Sequence, residues 1–155
     1  VTSIAGVQWN VATSWKVQPA RQMRITTYSV PAAQGDGEDG ECAVFYFGTG
    51  QGGNVAGNIS RWASQFDGAP KPEESSKKVN GLNVTMVNIA GSYLAPSGPM
   101  MQSQGKKEHH RLLGAIVEAP EGSVFFKFTG PQNTVRAAET EFNDLVNSLS
   151  RQANL

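Results

Sequence analysis

Residues 42–66 read CAVFYFGTGQGGNVAGNISRWASQF, and the fold turns on how this stretch is read. An apolar run, Cys42 to Phe47, meets a glycine-rich turn, Gly48 to Gly53, and a helical pattern follows. Val55, Ile59, Trp62 and Phe66 recur at the spacing of one helix face, with Asn58, Arg61, Ser64 and Gln65 opposite. Asn54 offers an N-cap acceptor, and Gly68 with Pro70 ends the helix. In the apolar run, Cys42, Val44 and Tyr46 alternate with Ala43, Phe45 and Phe47. Both faces are therefore apolar, as in a strand inside a sheet covered on both sides.

Gly48, Gly50 and Gly53 spell G-x-G-x-x-G, the dinucleotide fingerprint. That motif works only where strand and helix open a parallel βαβ unit, with an acid ending the second strand to hold the ribose. Here the helix runs into a polar linker and then into Asn80-Gly81, a hairpin signal. Glu73 and Glu74 fall in the linker, and "VTMVNIAG" ends without an acid. No G-K-[ST] follows, so a P-loop is excluded. The expectation is a strand-to-helix turn that needs positive φ. One chemical reading stays open: the amides of Gly50, Gly52 and Gly53, with Asn54, lead into a helix N-terminus and form a weak candidate site for an anion or nucleotide.

Outward from this centre, "VQWNVATSWKVQPA" gives two short strand-like pieces around Trp9 and Trp15. "MRITTYSVP" reads as a strand that closes at Pro31, and "AAQGDGEDGE" as a polar connection. "APKPEESSKK" reads as a solvated linker, and "VNGLNVTMVNIAGSYL" as a strand pair. "APSGPMMQSQGKKEHH" is a long loop. "RLLGAIVEA" and "SVFFKF" pair through Pro120-Glu121-Gly122. After Gly130-Pro131, one helix carries Val135, Ala138, Phe142, Leu145, Val146 and Leu149 as a stripe, capped by Asn133 or Thr134. The last residues, SRQANL, are expected to fray. The order β-β-β-α-β-β-β-β-α with short turns predicts an α+β fold: a largely antiparallel sheet with two packing helices.

The chain has 155 residues, 39% of them hydrophobic, and 13 basic residues balance 13 acidic ones. A neutral chain has no net pull toward nucleic acid or anionic membrane. No apolar run reaches about 18 residues, so no transmembrane helix is expected. Cys42, the single cysteine, sits in an apolar run and reads as a small buried hydrophobe. The chain starts at Val1 rather than Met, which fits an exported, periplasmic protein whose leader has been removed, or a domain cut from a longer chain.

The element order, the Trp9/Trp15 start and the final helix after "FFKFTGP" resemble the PsbP-like fold, an α/β/α sandwich. That group includes an extrinsic photosystem II subunit and a Ran-binding nuclear transport factor. "MRITTYSVP", "GECAVFYFGTGQGGNVAGNISRW", "RLLGAIVE" and "FFKFTGP" also resemble uncharacterised exported bacterial proteins. The resemblance spans nearly the whole chain and implies one PsbP-like domain over residues 1–155. It implies a non-catalytic assembly role by analogy with PsbP itself, but no partner or ion site. One departure stands out. PsbP-like chains usually carry a proline before the second early aromatic, whereas Val11-Ala12-Thr13-Ser14 precede Trp15 here, so the first turn is expected to differ.

Other chemistry is sparse. Met100 and Met101 share a loop with Glu108-His109-His110, and Met with His is a soft set suited to copper(I). On a strand the adjacent histidines would point apart; in a loop they can meet. Asp36, Glu38, Asp39 and Glu41 do not keep calcium-loop spacing, since the position that needs glycine holds Glu41 and the one that needs a bidentate acid holds Phe47. No G-x-S-x-G occurs, and a His-dependent triad would have to use His109 or His110. Glu141 and Asp144 read as solvated. Trp62, Phe66, Phe126 and Phe128 read as core, while Trp9 or Trp15 can line a groove. The expectation is a non-catalytic binding or accessory domain of the bacterial cell envelope, without a cofactor, that takes a protein or small ligand. Two alternatives stand beside it: a metal-binding protein or enzyme built on the Met100/Met101/His109/His110 loop, and an anion or nucleotide binder at the Gly48–Gly53 turn.

Overall fold

A computed structural model describes residues 2–19, 24–94, 96–97, 102–103 and 107–151. The strands are β1 (Ser3–Ile4), β2 (Val7–Gln8), β3 (Lys16–Val17), β4 (Thr26–Val30), β5 (Gly40–Phe45), β6 (Glu73–Val79), β7 (Leu82–Tyr93), β8 (Pro96–Ser97), β9 (Gln102–Ser103), β10 (Lys107–Ala119), β11 (Gly122–Pro131) and β12 (Ser150–Arg151). The helices are α1 (Val55–Ser64), α2 (Gln132–Ala137) and α3 (Glu139–Asn147). Seven strands form the main sheet in the order β3-β4-β5-β11-β10-β7-β6. Every neighbouring pair in it is antiparallel. A small sheet, β1-β2-β12, joins the two ends of the chain.

Strand alternation divides the side chains between two layers. On β11, Phe125 faces one side, while Phe126 and Phe128 face the other. β7 sends Val87 and Ile89 one way and Leu82 and Val84 the other. Helix α1 covers the first face with Ile59, Trp62 and Ala63, and Phe66, past the end of the helix and bridged to Tyr93, completes the cluster. Helices α2 and α3 cover the second with Val135, Phe142, Leu145 and Val146, joined by Trp9 and Trp15 from the start of the chain. The sheet is covered on both faces, as the doubly apolar Cys42–Phe47 run predicts, which gives the α/β/α sandwich implied by the PsbP-like resemblance; Cys42, Ala43 and Val44 are all buried. The contact beneath α1 depends on Gly114 of β10, because a Cβ there would lie 2.5 Å from Cζ3 of Trp62.

Several local expectations are corrected. Residues 73–78, read as linker, belong to β6, which pairs with β7 from Glu73↔Asn88 to Val79↔Leu82. β6 is an edge strand, and edge strands carry charge that keeps other strands from adding on. Its polar composition therefore resembles that of a linker. The C-terminal stripe stays buried, but the helix breaks at Ala138 (φ −101°, ψ 7°) into α2 and α3. Neither Asn133 nor Thr134 caps it: the N-cap position is Pro131, without a side-chain bond. Thr134 is buried instead; its Oγ1 accepts from the Ala33 N–H (3.0 Å) and donates to Asp36 Oδ2 (2.5 Å), tying down the β4–β5 connection. Ser150 and Arg151 pair with β2 rather than fray. Tyr46 and Phe47 lie past the end of β5. Trp9 and Trp15 are only 3% and 5% exposed, so neither lines an open groove.

Candidate functional site

The glycine turn behaves as a turn. Gly48, Gly50, Gly52 and Gly53 all have positive φ. Gly52 is constrained twice, since φ is +92° and an added Cβ would fall 2.8 Å from Cδ2 of Phe47 and 3.2 Å from Cε2 of Phe125. Asn54 caps α1, its Oδ1 accepting from the Gly57 N–H at 2.6 Å. The dinucleotide arrangement is not formed. β5 runs antiparallel to both of its neighbours, and β6, the next strand in sequence, lies at the far edge of the sheet.

Asn58, expected on the polar face of α1, is 4% exposed. Its Nδ2 donates to the carbonyls of Gly52 and Asn54, both at 2.8 Å, which locks the turn to the helix. Its Oδ1 accepts from Nη2 of Arg61. One buried amide thus fixes the glycine turn and aims a guanidinium.

That guanidinium borders a pocket of about 300 Å³ between α1 and the sheet. Helix α1 supplies Asn58, Arg61 and Trp62, and its C-cap supplies Gln65; the sheet side supplies Phe45, Phe47, Phe125 and Lys127. Phe45 and Phe47 are stacked, with centroids 6.1 Å apart and planes at 19°, and Phe125 lies 6.0 Å from Phe47. Arg24 sits 5.6 Å from the Phe45 centroid and pairs with Glu41 at 3.1 Å. A shallower hollow lined by Gln51, Gly52 and Gly53 shares Phe47 and Arg61 with this pocket. The predicted glycine site and the observed pocket are thus neighbours.

Lys127 follows Phe125 by two residues on β11, so it points to the same face. Its Nζ donates to Oε1 of Gln65 at 2.5 Å, lies 3.5 Å from the Tyr93 hydroxyl and sits 5.8 Å from the Tyr93 ring centroid. Burial pushes its amine down from the usual 10.5 to about 8; Arg24 and Arg61 add to this, while Glu41 opposes it. Burial likewise raises the Tyr93 hydroxyl, with Glu41 adding and Arg24 opposing. Among the described residues, neither Arg61 nor Lys127 has a carboxylate within ion-pair distance. No carboxylate among the described residues lines the pocket. The site is an aromatic slot with two cations, chemistry suited to an anion with a flat apolar body.

The remaining candidates are not drawn together. His109 and His110 lie in β10 at a register shift, and His109 has φ +55°. His109 is exposed and His110 buried. The imidazole of His110 stacks on Tyr93 (planes 4° apart), with Nε2 3.4 Å from Glu38 and Nδ1 3.3 Å from the Glu108 carbonyl. Met100 and Met101 lie outside the described residues. Among the described residues, no group of three His, Cys, Asp or Glu converges on a metal position. Sequence reasoning missed Lys127, Arg61 and Gln65. The available signal was the cation inside "FFKF", since a lysine in the middle of an apolar central strand must find a polar niche.

No helix among the described residues is long and apolar enough to cross a membrane. No protein-family model matches the chain, and no curated protein matches it. Solved structures do. PA94 of Pseudomonas aeruginosa, a protein of unknown function, superposes with a TM-score of 0.55 at 10% identity, over 90% of this chain and 99% of PA94. The cyanobacterial PsbP protein (CyanoP) of Synechocystis sp. PCC 6803 gives 0.52 at 9% identity, over 97% of this chain and 95% of its own. At such identities the likeness shows the fold alone: the chain has the α+β fold of the PsbP-like proteins.

Proposed function

We propose that this chain is a non-catalytic binding domain of the bacterial cell envelope, whose α1-face pocket takes a small anion with an apolar, planar body. The observation that carries this reading is the pairing of Arg61 and Lys127, without a carboxylate partner among the described residues, with the walls Phe45, Phe47 and Phe125. Aromatic walls contribute burial of apolar surface, and the cations contribute charge-assisted bonds of about 1.5–3 kcal/mol each. Placement at the envelope rests on the resemblance to exported bacterial proteins, and cell fractionation tests it.

Binding is tested by thermal shift with phenylacetate, acetate and phenylacetamide. Phenylacetate carries both features, so it should stabilise most; at about 100 times its Kd a ligand adds roughly 2.7 kcal/mol. Acetate lacks the ring and phenylacetamide lacks the charge, so each should do less. Arg61→Gln should weaken phenylacetate about tenfold, the equivalent of about 1.4 kcal/mol. Equal shifts with all three compounds, or none at millimolar concentration, would sink the reading.

A further inference from the structure

We propose that Lys127 is a carbonyl-capturing amine, which condenses reversibly with a 2-oxo acid whose carboxylate is held at Arg61 and whose apolar body lies among Phe45, Phe47 and Phe125. The proposal rests on the anion-pocket reading above and names the ligand class of that site.

Four observations converge. Lys127 lines the pocket instead of pointing into solvent. Its Nζ is steered by a neutral acceptor, Oε1 of Gln65 at 2.5 Å, and has no carboxylate partner among the described residues. Burial, Arg24 and Arg61 all favour the uncharged amine, which is the nucleophile. Arg61, itself aimed by Asn58, supplies a separate cation for the carboxylate. At about pH 7.5 an amine titrating near 8 is roughly a quarter neutral, whereas an ordinary lysine is roughly a thousandth neutral.

The chemistry is redox-neutral. The nitrogen lone pair attacks the carbonyl carbon and forms the C–N bond, while the carbonyl oxygen takes a proton. The nitrogen gives up a proton, and the resulting carbinolamine expels its oxygen as water with a second proton. A C=N bond remains, so amine plus oxo acid gives imine plus water. Tyr93, kept as the phenol by burial, has its hydroxyl 3.5 Å from Nζ and within reach for proton exchange at the leaving oxygen.

The test incubates the intact protein with phenylpyruvate and cyanoborohydride at about pH 7.5, and maps adducts by peptide mass spectrometry. The expected product is reduced phenylpyruvate on Lys127, heavier by the acid less one oxygen atom. It should form at least ~10 times faster than on the exposed Lys16, Lys71 or Lys78. Pyruvate should label more slowly, and phenylacetate should compete. Lys127→Arg has no nucleophile at this position, so the adduct should vanish there while Lys16, Lys71 and Lys78 label at their wild-type rates; Lys127→Met serves for the same readout if the arginine variant does not fold. Phenylacetate binding without an adduct on Lys127 overturns the capture and leaves the anion pocket standing. Neither binding nor adduct overturns both. Adducts on surface lysines at the same rate as on Lys127 also overturn the capture.

Discussion

Replacing Lys127 with methionine should stabilise the protein at neutral pH, and the gain should disappear in alkali. The folded amine titrates at about 8 against an ordinary 10.5, mainly because it is buried. At about 1.4 kcal/mol per pH unit the shift corresponds to at most about 3.5 kcal/mol, and with solvent screening of the partly exposed amine the charged lysine costs the folded state about 3 kcal/mol. Below pH 8 the lysine is charged in both folded and unfolded chains, so the whole cost is present. Between about 8 and 10.5 the folded amine is neutral while the unfolded chain still holds its proton. The unfolded state then binds more protons, and folding stability rises with pH. Methionine has similar length and no charge, and it loses the bond to Gln65, worth about 1 kcal/mol. The variant should therefore gain about 2 kcal/mol at pH 7 and lose about 1 kcal/mol near pH 10.5. Urea unfolding of both proteins at the two pH values reads the difference directly, and other titrating groups cancel between them. A difference that stays constant across the range would refute the assignment of Lys127 as a desolvated amine. A variant less stable than wild type at pH 7 would do the same.

Three further outcomes are expected. Phenylacetate binding should weaken as pH rises through about 8, because the Lys127 ammonium that helps hold the anion is lost there; calorimetry at pH 7 and 9.5 should show a several-fold fall, and equal affinities would remove Lys127 from the site. Gly52→Ala puts a side chain at φ +92° and against Phe47, so denaturant unfolding should show a loss of about 2 kcal/mol and phenylacetate binding should weaken; a neutral result would mean that the turn is not constrained as described. Asn58→Ala removes both bonds to the turn carbonyls and the acceptor for Arg61. It should cost about 2–3 kcal/mol, with hydrogen exchange rising at residues 52–58 before the rest of α1; uniform exchange would argue against a local lock.

The fold was legible where neighbouring residues settle it. The doubly apolar run at 42–47, the i, i+4, i+7 stripe of α1 and the Asn54 cap are properties of adjacent residues, and each reappears in the structure. The sign of φ at Gly50, Gly52 and Gly53 follows from the same local logic. β6 was not legible, because charges on an edge strand look like those of a linker until a partner strand is known. The break at Ala138 leaves the apolar stripe intact, so periodicity does not reveal it.

Residue patterns along the chain establish an antiparallel α+β protein whose glycine turn lacks the setting of a dinucleotide site. The place of the chemistry follows from how distant segments pack. Phe45 and Lys127 reach the pocket from β5 and β11, which pair directly; Arg61 and Gln65 reach it from a helix that crosses above. Strand order and register, not sequence proximity, bring a half-buried amine, a guanidinium and stacked aromatic rings around one space of about 300 Å³. The physical reason is that desolvation and charge coupling depend on distance through space, and a one-residue shift in register would have sent Lys127 into the opposite layer.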